Sequence, residues 1–168
     1  MLFLVDKNDI ITGTREKISV HQNGLLHRAF SIFIFNEKHE LLLQQRAFHK
    51  YHSGGLWSNS CCSHPVFGEN IHQSIIRRLK EELAITCRTE FIFSFHYLTH
   101  FENGLIENEI DHVYMGVSRE TPIPNRNEVA AWRYIKLDQL KEEISLQPEK
   151  FSYWLKACLP KLMHHINK

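Results

Sequence analysis

Residues 70–83 read NIHQSIIRRLKEEL, and this segment decides the fold class. At the 100° rotation per residue of an α-helix, its isoleucines and leucines gather in one arc. Asn70 precedes the first of them and is a residue type that caps helix N-termini. The segment therefore predicts an amphipathic helix, capped by Asn70, that packs one face on a core.

Glu82 breaks this pattern, because it falls at about 20° in an apolar arc that spans about 140°. Arg78 lies one turn earlier, at the edge of the same arc. From the helix alone, two interpretations remain open. Either Glu82 extends to solvent at the helix end, or it has a partner that compensates for its desolvation.

Strand patterns flank this helix on both sides. Six strands are predicted from apolar runs and period-two alternation, at residues 1–6, 29–35, 41–44, 91–97, 105–117 and 131–135. Turn residues at 36–38 and 102–104 join two pairs of them into hairpins. Further helices are predicted at 137–144 and 151–166, the second kinked or broken near Pro160. Locally paired strands around one strong helix favour a mixed α/β sandwich over a regularly wound parallel sheet.

The composition limits the class of function. The chain has 168 residues, one domain's worth, and its 43% hydrophobic and 23% charged residues are ordinary for a globular protein. Twenty Lys and Arg nearly cancel 19 Asp and Glu, which argues against a nucleic-acid binder with a broad basic face. No apolar run approaches the roughly 18 residues of a membrane span, and the apolar start is too short for a signal peptide. We therefore expect a cytoplasmic protein whose cysteines are thiols, with no nucleic-acid or membrane partner.

Five residues could converge on a metal. They are His21, His27, His64, Glu107 and Glu109. The two glutamates point to the same face of a strand, about 7 Å apart at Cα, and repel each other unless a cation lies between them or one is protonated. Imidazole and carboxylate ligands suit Zn, Mn or Mg. From spacing alone, a divalent metal site and a solvated strand face with scattered histidines both remain open.

Cys61 and Cys62 are adjacent thiols in residues 55–65. Cys62 stands two residues before His64, which can lower a thiol pKa and make the group a usable acid, base or nucleophile. A small buried side chain is the alternative. Because neighbours on a strand face opposite sides, at most one of the two cysteines shares a site with His64.

Basic residues are dispersed along the chain and could bind an anion such as diphosphate if the fold gathers them. They are Lys17, Arg46, Lys50 and the pair Arg77 and Arg78. Taken individually, each is a solvated surface charge. Tyr97 and Trp154 are by default core or interface aromatics.

Four segments together resemble the type I isopentenyl-diphosphate delta-isomerases, within the Nudix superfamily. They are residues 17–30, 46–50, 55–65 (GLWSNSCCSHP) and 97–109, the last ending in IENE. The resemblance runs from about Val5 to Trp154, and the last two segments are the specific ones. The Nudix helix motif is similar but altered, since Arg78 stands where hydrolases have Glu and Ala84 where they have Gly.

The resemblance implies a single domain over residues 1–168, a Nudix-type α/β/α sandwich with a mixed sheet and a core at about 27–160. It implies an enzyme of isoprenoid biosynthesis that interconverts isopentenyl diphosphate and dimethylallyl diphosphate through a tertiary carbocation. The partner would be this small-molecule diphosphate. A Nudix hydrolase of a nucleoside diphosphate derivative is the alternative, which Arg78 disfavours because it removes one glutamate from the hydrolase motif.

The positions that match the family's motifs imply which residues bind the metals and the phosphates. The first metal, Zn, Mn or Mg, would be held by His21, His27, His64, Glu107 and Glu109. A second ion, Mg, would bridge Glu82 to the diphosphate. The phosphates would be contacted by Lys17, Arg46, Lys50 and Arg78.

The resemblance also implies the residues of the chemistry. Cys62 and Glu109 would lie on opposite faces of the five-carbon unit, one supplying a proton and the other removing one. It leaves open which of them donates in the forward direction. Tyr97 would assist Glu109 by hydrogen bonding, and the face of Trp154 would contact the substrate and stabilise the cation.

Overall fold

The computed structural model describes residues 1–167. Its strands are β1 (Leu2–Val5), β2 (Ile11–Arg15), β3 (His27–Phe35), β4 (Leu41–Arg46), β5 (Trp57–Ser58), β6 (Cys61–Ser63), β7 (Thr89–His100), β8 (Ile106–Val117) and β9 (Val129–Ile135). Its helices are α1 (Lys17–Asn23), α2 (Ile71–Leu83), α3 (Leu137–Leu146) and α4 (Tyr153–Ile166), with a 3-10 turn at Pro148–Lys150. Among the described residues, no helix is long and apolar enough to cross a membrane.

Strand β3 is the centre of one mixed sheet. It pairs in parallel with β8 along its whole length, from His27 opposite Glu109 to Phe35 opposite Val117. Its pairings with β1, β4 and β6 are antiparallel, as are those of β7 with β8 and of β5 and β9 with β4. The two predicted hairpins, β3–β4 and β7–β8, are confirmed, and so is the α/β fold with a mixed sheet.

Helices cover both faces of this sheet, which is why β3 is continuously apolar from Ile32 to Phe35. Phe33 packs with Leu155 and Leu159 of α4, in a core that also includes α3. The next residue, Ile34, points to the opposite face and packs in a second core with Leu79 of α2. The result is the predicted α/β/α sandwich.

Helix α2 begins and ends where the sequence predicts. The Asn70 side chain accepts the Gln73 N–H at 2.9 Å, and the Gln73 side chain accepts the Asn70 N–H at 2.9 Å, which is a capping box. At the other end, Ala84 has a left-handed φ of 55°. A side chain in that conformation costs roughly 1–2 kcal/mol, the cost that the Gly of the Nudix motif avoids.

Several elements differ from expectation. Helix α1 and strand β2 were not predicted, because both are short and largely exposed and neither has a clear apolar period. The predicted break near Pro160 is wrong, since α4 is continuous through it. Proline removes one backbone hydrogen bond there, but Leu159 and Leu162 are buried in the core and hold the helix together. The helix begins at Tyr153 rather than Phe151, which forms a bridge with Trp57 instead.

Candidate active site

A cavity of about 280 Å³ gathers residues from α1, β3, β4, β8, α2 and α4. Eleven of the thirteen residues to which the resemblance assigns a role line it: Lys17, Arg46, Lys50, Cys62, His64, Arg78, Glu82, Tyr97, Glu107, Glu109 and Trp154. The other two, His21 and His27, lie against the lining residue His64, with ring centroids 5.4 and 5.0 Å from it. The fold therefore brings all thirteen to one place.

Four side chains beside this cavity form a cluster that could hold a metal ion. One ligand atom from each of His21, His27, His64 and Glu109 lies within 4.8 Å of the others. The parallel pairing of β3 with β8 places His27 directly opposite Glu109. Helix α1 supplies His21, and His64 follows strand β6. These ligands therefore come from four separate elements.

The orientation of two histidine rings fits a metal. The Nδ1 atom of His21 lies 2.7 Å from the Lys17 carbonyl oxygen. That of His27 lies 2.8 Å from the Leu25 carbonyl oxygen, so both Nδ1 atoms donate to the backbone. Each Nε2 atom is then an acceptor, buried and without a hydrogen-bond partner among residues 1–167. His27 Nε2 lies 3.2 Å from Glu109 Oε1, so two acceptors face each other. A cation bound between them would attract both atoms.

Strand β8 buries its carboxylates, which excludes a solvated strand face. Glu107 and Glu109 are each 4% exposed and Asp111 is 1% exposed. Glu107 lies next to the four-residue cluster rather than within it, with Oε1 3.2 Å from His52 Nε2. Burial and the charge of Glu109 raise the pKa of Glu107 well above its usual value. The surroundings therefore favour protonation of Glu107 over protonation of Glu109.

Glu109 has two contacts that favour its ionised form. Its Oε1 lies 2.8 Å from His64 Nε2, and its Oε2 accepts the Tyr97 hydroxyl at 2.5 Å. Burial acts to raise the pKa of Glu109, but the contact with the His64 ring holds it well below its usual range. Glu109 is accordingly a carboxylate that can accept a proton.

The two adjacent cysteines face opposite sides, as strand alternation predicts. Cys61 is buried in the core beside α2, and Cys62 lines the cavity. The Cys62 thiol donates to Asn59 Oδ1 at 2.9 Å and lies 3.6 Å from Ser31 Oγ. Only Cys62 is therefore placed to meet a substrate.

The interpretation that His64 lowers the pKa of Cys62 is wrong. The His64 ring is turned toward Glu109 and not toward the thiol. Burial, together with the nearby Asp111 carboxylate, raises the pKa of Cys62 well above its usual value. Cys62 is therefore a neutral thiol that keeps its proton at neutral pH.

Lys17, Arg46, Lys50 and Arg78 also line the cavity, and we call the part that contains Lys50 and Arg78 its cationic end. Arg78 donates to Glu82, and Lys50 donates to Glu128. Glu82 is 4% exposed and also accepts the Gln44 side-chain N–H at 2.9 Å. Of the two interpretations of Glu82, the structure therefore supports the buried carboxylate with partners.

Trp154 forms an aromatic wall of the cavity. Its indole N–H donates to Ser58 Oγ at 2.7 Å, which fixes the ring. The Arg46 guanidinium carbon lies 5.1 Å from the centre of the ring, in a cation–π arrangement. The face of this indole is thus available to positive charge.

Sequence reasoning missed two lining residues of the loop after β4, Tyr51 and His52. His52 is 7% exposed and stacks on Phe101, with ring centroids 4.7 Å apart and planes at 14°. A polar loop has no periodicity from which its buried side chains could be found. The available signal was the position of both residues directly after Lys50.

Comparison with known proteins places the chain in a family. A model of the NUDIX domain matches residues 25–155. The isopentenyl-diphosphate Delta-isomerase of Pectobacterium atrosepticum is 45% identical over 159 residues, which cover 95% of this chain and 89% of that protein. The chain belongs to the isopentenyl-diphosphate delta-isomerase family of Nudix proteins.

Further comparisons agree with this family. The isopentenyl-diphosphate Delta-isomerase of Serratia proteamaculans is 46% identical over 162 residues, covering 96% of this chain and 90% of that protein. The crystal structure of a MutT protein from Methanosarcina mazei superimposes with a TM-score of 0.71, covering 85% of this chain and 96% of that one. At 16% identity that likeness shows the fold alone. Membership of the isomerase family confirms the resemblance that the sequence motifs indicate.

Proposed function

We propose that this protein interconverts isopentenyl diphosphate and dimethylallyl diphosphate in isoprenoid biosynthesis. The observation that carries the proposal is one cavity lined by both a neutral thiol, Cys62, and an ionised carboxylate, Glu109. Relatives named for this activity match nearly the whole chain. Both lines of support point to proton transfer rather than hydrolysis.

The isomerisation adds a proton to one carbon of an alkene and removes one from another, so it needs an acid and a base at a small site. We assign these roles to Cys62 and Glu109, on opposite faces of the hydrocarbon. Because the reaction is reversible, the two groups exchange roles with its direction. The Tyr97 hydroxyl, 2.5 Å from Glu109 Oε2, would hold that carboxylate in place and adjust its basicity.

The intermediate is a tertiary carbocation, which needs a dry, electron-rich wall that cannot capture it. Trp154 is 4% exposed and is assigned this role. A cation–π interaction contributes about 2 kcal/mol or more when it is desolvated. The position of Arg46 over the same ring supports the assignment.

We assign the first metal to His21, His27, His64 and Glu109, with Glu107 as the adjacent fifth ligand. Mixed nitrogen and oxygen donors suit Zn, Mn or Mg. A divalent ion bound there would supply positive charge that orients the ligating carboxylate and adjusts its acidity.

We assign Mg and the diphosphate to the cationic end of the cavity, with Glu82 as the ligand of the ion. The phosphate contacts would be Lys17, Arg46, Lys50 and Arg78.

The direct test is a product assay. Purified protein incubated with isopentenyl diphosphate and Mg should form dimethylallyl diphosphate and release no phosphate. Phosphate released from a panel of nucleoside diphosphates, with no isomer formed, would instead indicate a hydrolase.

His64→Ala is expected to lose its tightly bound divalent metal, because the substitution removes one of the four clustered ligand atoms. We expect a drop in metal affinity of more than about 100-fold, since even groups that only orient a ligand are worth 10–100-fold. Elemental analysis of the purified variant measures the effect, and circular dichroism checks its fold. His96→Ala, on the exposed side of β7, is the matched control. Full metal retention by folded His64→Ala would contradict the site.

Glu82→Gln is expected to raise the Mg concentration needed for half-maximal activity about tenfold, because a charge-assisted contact is worth roughly 1.5–3 kcal/mol. The amide can still accept from Gln44, so the fold should remain intact. A Mg titration at fixed isopentenyl diphosphate measures the effect. Glu142→Gln removes an exposed carboxylate of α3 that does not line the cavity, and should leave the titration unchanged. An unchanged curve for Glu82→Gln would leave Glu82 with a structural role only.

We further place the reaction in the cytoplasm. All four cysteines are free, including the adjacent Cys61 and Cys62, and a reducing compartment keeps them so. Cell fractionation tests this placement, and recovery from an oxidising compartment would contradict it.

A further inference from the structure

Glu128 is an acidic residue within the cationic end of the cavity. Its Oε2 atom accepts from Lys50 Nζ and also lies 3.3 Å from Arg78 Nη2. The side chains of Lys50 and Arg78 are each 19% exposed and that of Glu128 is 25% exposed, so the three are partly shielded from water. One carboxylate therefore engages two of the cations that the proposed function assigns to the phosphates.

The backbone fixes the position of Glu128. Its carbonyl oxygen accepts the Ala47 N–H at 2.9 Å, and its own N–H donates to the Asn125 carbonyl oxygen at 2.9 Å. The Asn125 N–H in turn donates to the carbonyl oxygen of Glu82 at 2.9 Å. The segment is thus tied to the end of β4, which supplies Arg46, and to the end of α2, which supplies Glu82. This backbone directs the carboxylate at Lys50 and Arg78.

The contacts favour an ionised Glu128. Partial burial acts to raise its pKa, but the hydrogen bonds and charges of Lys50 and Arg78 outweigh burial and leave the pKa below its usual value. A diphosphate oxygen that approaches Lys50 and Arg78 meets N–H groups that already donate to Glu128. It is also repelled by the negative charge of Glu128. The two anions must therefore compete.

We propose that Glu128 is an internal competitor of the substrate's diphosphate group for Lys50 and Arg78, and that it limits the affinity of the cavity for diphosphates. The inference rests on the proposed function, which supplies the diphosphate. Substrate and product carry the same diphosphate group, so any excess affinity for it would hold the product as firmly as the substrate and would not accelerate the chemical step. Glu128 would weaken both complexes equally and so assist product release.

The test is the binding of inorganic diphosphate to Glu128→Gln by isothermal titration calorimetry, with and without Mg. Gln keeps the shape but loses the charge, and we expect the Kd to fall about tenfold in both conditions. In the isomerisation assay the KM for isopentenyl diphosphate should fall by a similar factor, with no gain in kcat. Glu143→Gln removes a carboxylate from another arginine pair, with Arg133 outside the cavity, and should bind as the unsubstituted protein does. An unchanged or higher Kd for Glu128→Gln in either condition overturns the inference.

Lys50→Ala separates this inference from the proposed function. If the unsubstituted protein binds inorganic diphosphate and Lys50→Ala binds it more weakly, the phosphate assignment stands and Glu128→Gln alone decides the inference. If Lys50→Ala binds as tightly as the unsubstituted protein, the phosphate assignment and the inference both fail. Circular dichroism melting of each variant verifies that its fold is intact.

Discussion

Cys62→Ser is expected to reduce kcat for isomerisation by about 1,000-fold while the protein remains folded. The hydroxyl can replace the thiol in the hydrogen bond to Asn59, so the local structure should persist. It is, however, a much weaker acid than a thiol, and general acid–base catalysis by one group is worth 10²–10⁴-fold. The rate of dimethylallyl diphosphate formation under saturating substrate and Mg measures the effect.

Cys61→Ala is the matched control for this substitution. Cys61 is adjacent in sequence but fully buried on the other face of the strand, in the core beside α2. Its loss should lower stability and leave kcat within about tenfold of the unsubstituted value, well short of a catalytic loss. A Cys62→Ser protein with nearly full kcat would remove the thiol from the mechanism. A 1,000-fold loss in folded Cys61→Ala would show that the effect is not specific to the cavity.

The Glu109→Gln protein is expected to lose both catalytic activity and bound metal, because we assign the same carboxylate to the proton transfer and to the metal site. Its Oε1 contacts the rings of His27 and His64, and its Oε2 accepts the Tyr97 hydroxyl. The amide is similar in size, but it is a very weak base and a poor metal ligand. We expect kcat to fall at least about 1,000-fold and the metal content of the purified protein to fall with it.

Two measurements on each preparation, product formation and elemental analysis, test the double role of Glu109. Glu102→Gln, an exposed position in the turn between β7 and β8, should change neither. Full activity in Glu109→Gln would refute the catalytic assignment. Full metal content with activity lost would leave Glu109 in the chemistry and remove it from the ligand set.

The sequence indicates much of this site because some of its residues break local patterns. Glu82 violates the apolar arc of α2, and that violation marks it as either a residue that extends to solvent or a carboxylate with partners; the structure shows the second. Period-two alternation places Glu107 and Glu109 on one face of β8 and sends Cys61 and Cys62 to opposite faces. Each of these inferences needs only the geometry of a single helix or strand.

The remaining features depend on contacts between distant parts of the chain. The pairing of His27 with Glu109 follows from the parallel register of β3 and β8, which local patterns do not reveal. The raised pKa of Cys62 depends on burial and on Asp111 of another strand, whereas its sequence neighbour His64 suggests the opposite shift. His52 is in a loop, and its burial depends on contacts with distant residues such as Phe101 and Glu107.

The two ends of the cavity differ in the parts of the fold that supply their side chains. The end that we assign to proton transfer is anchored in the central ladder of the sheet, where His27 and Glu109 are paired neighbours and backbone geometry leaves little freedom to adapt. The cationic end relies on long side chains from a loop and a helix, such as Lys50 and Arg78, that can reorient by bond rotation. On this assignment, selectivity for the shape of the hydrocarbon depends on the backbone of the sheet. Selectivity for the head group depends on individual side chains that evolution or engineering can exchange one at a time.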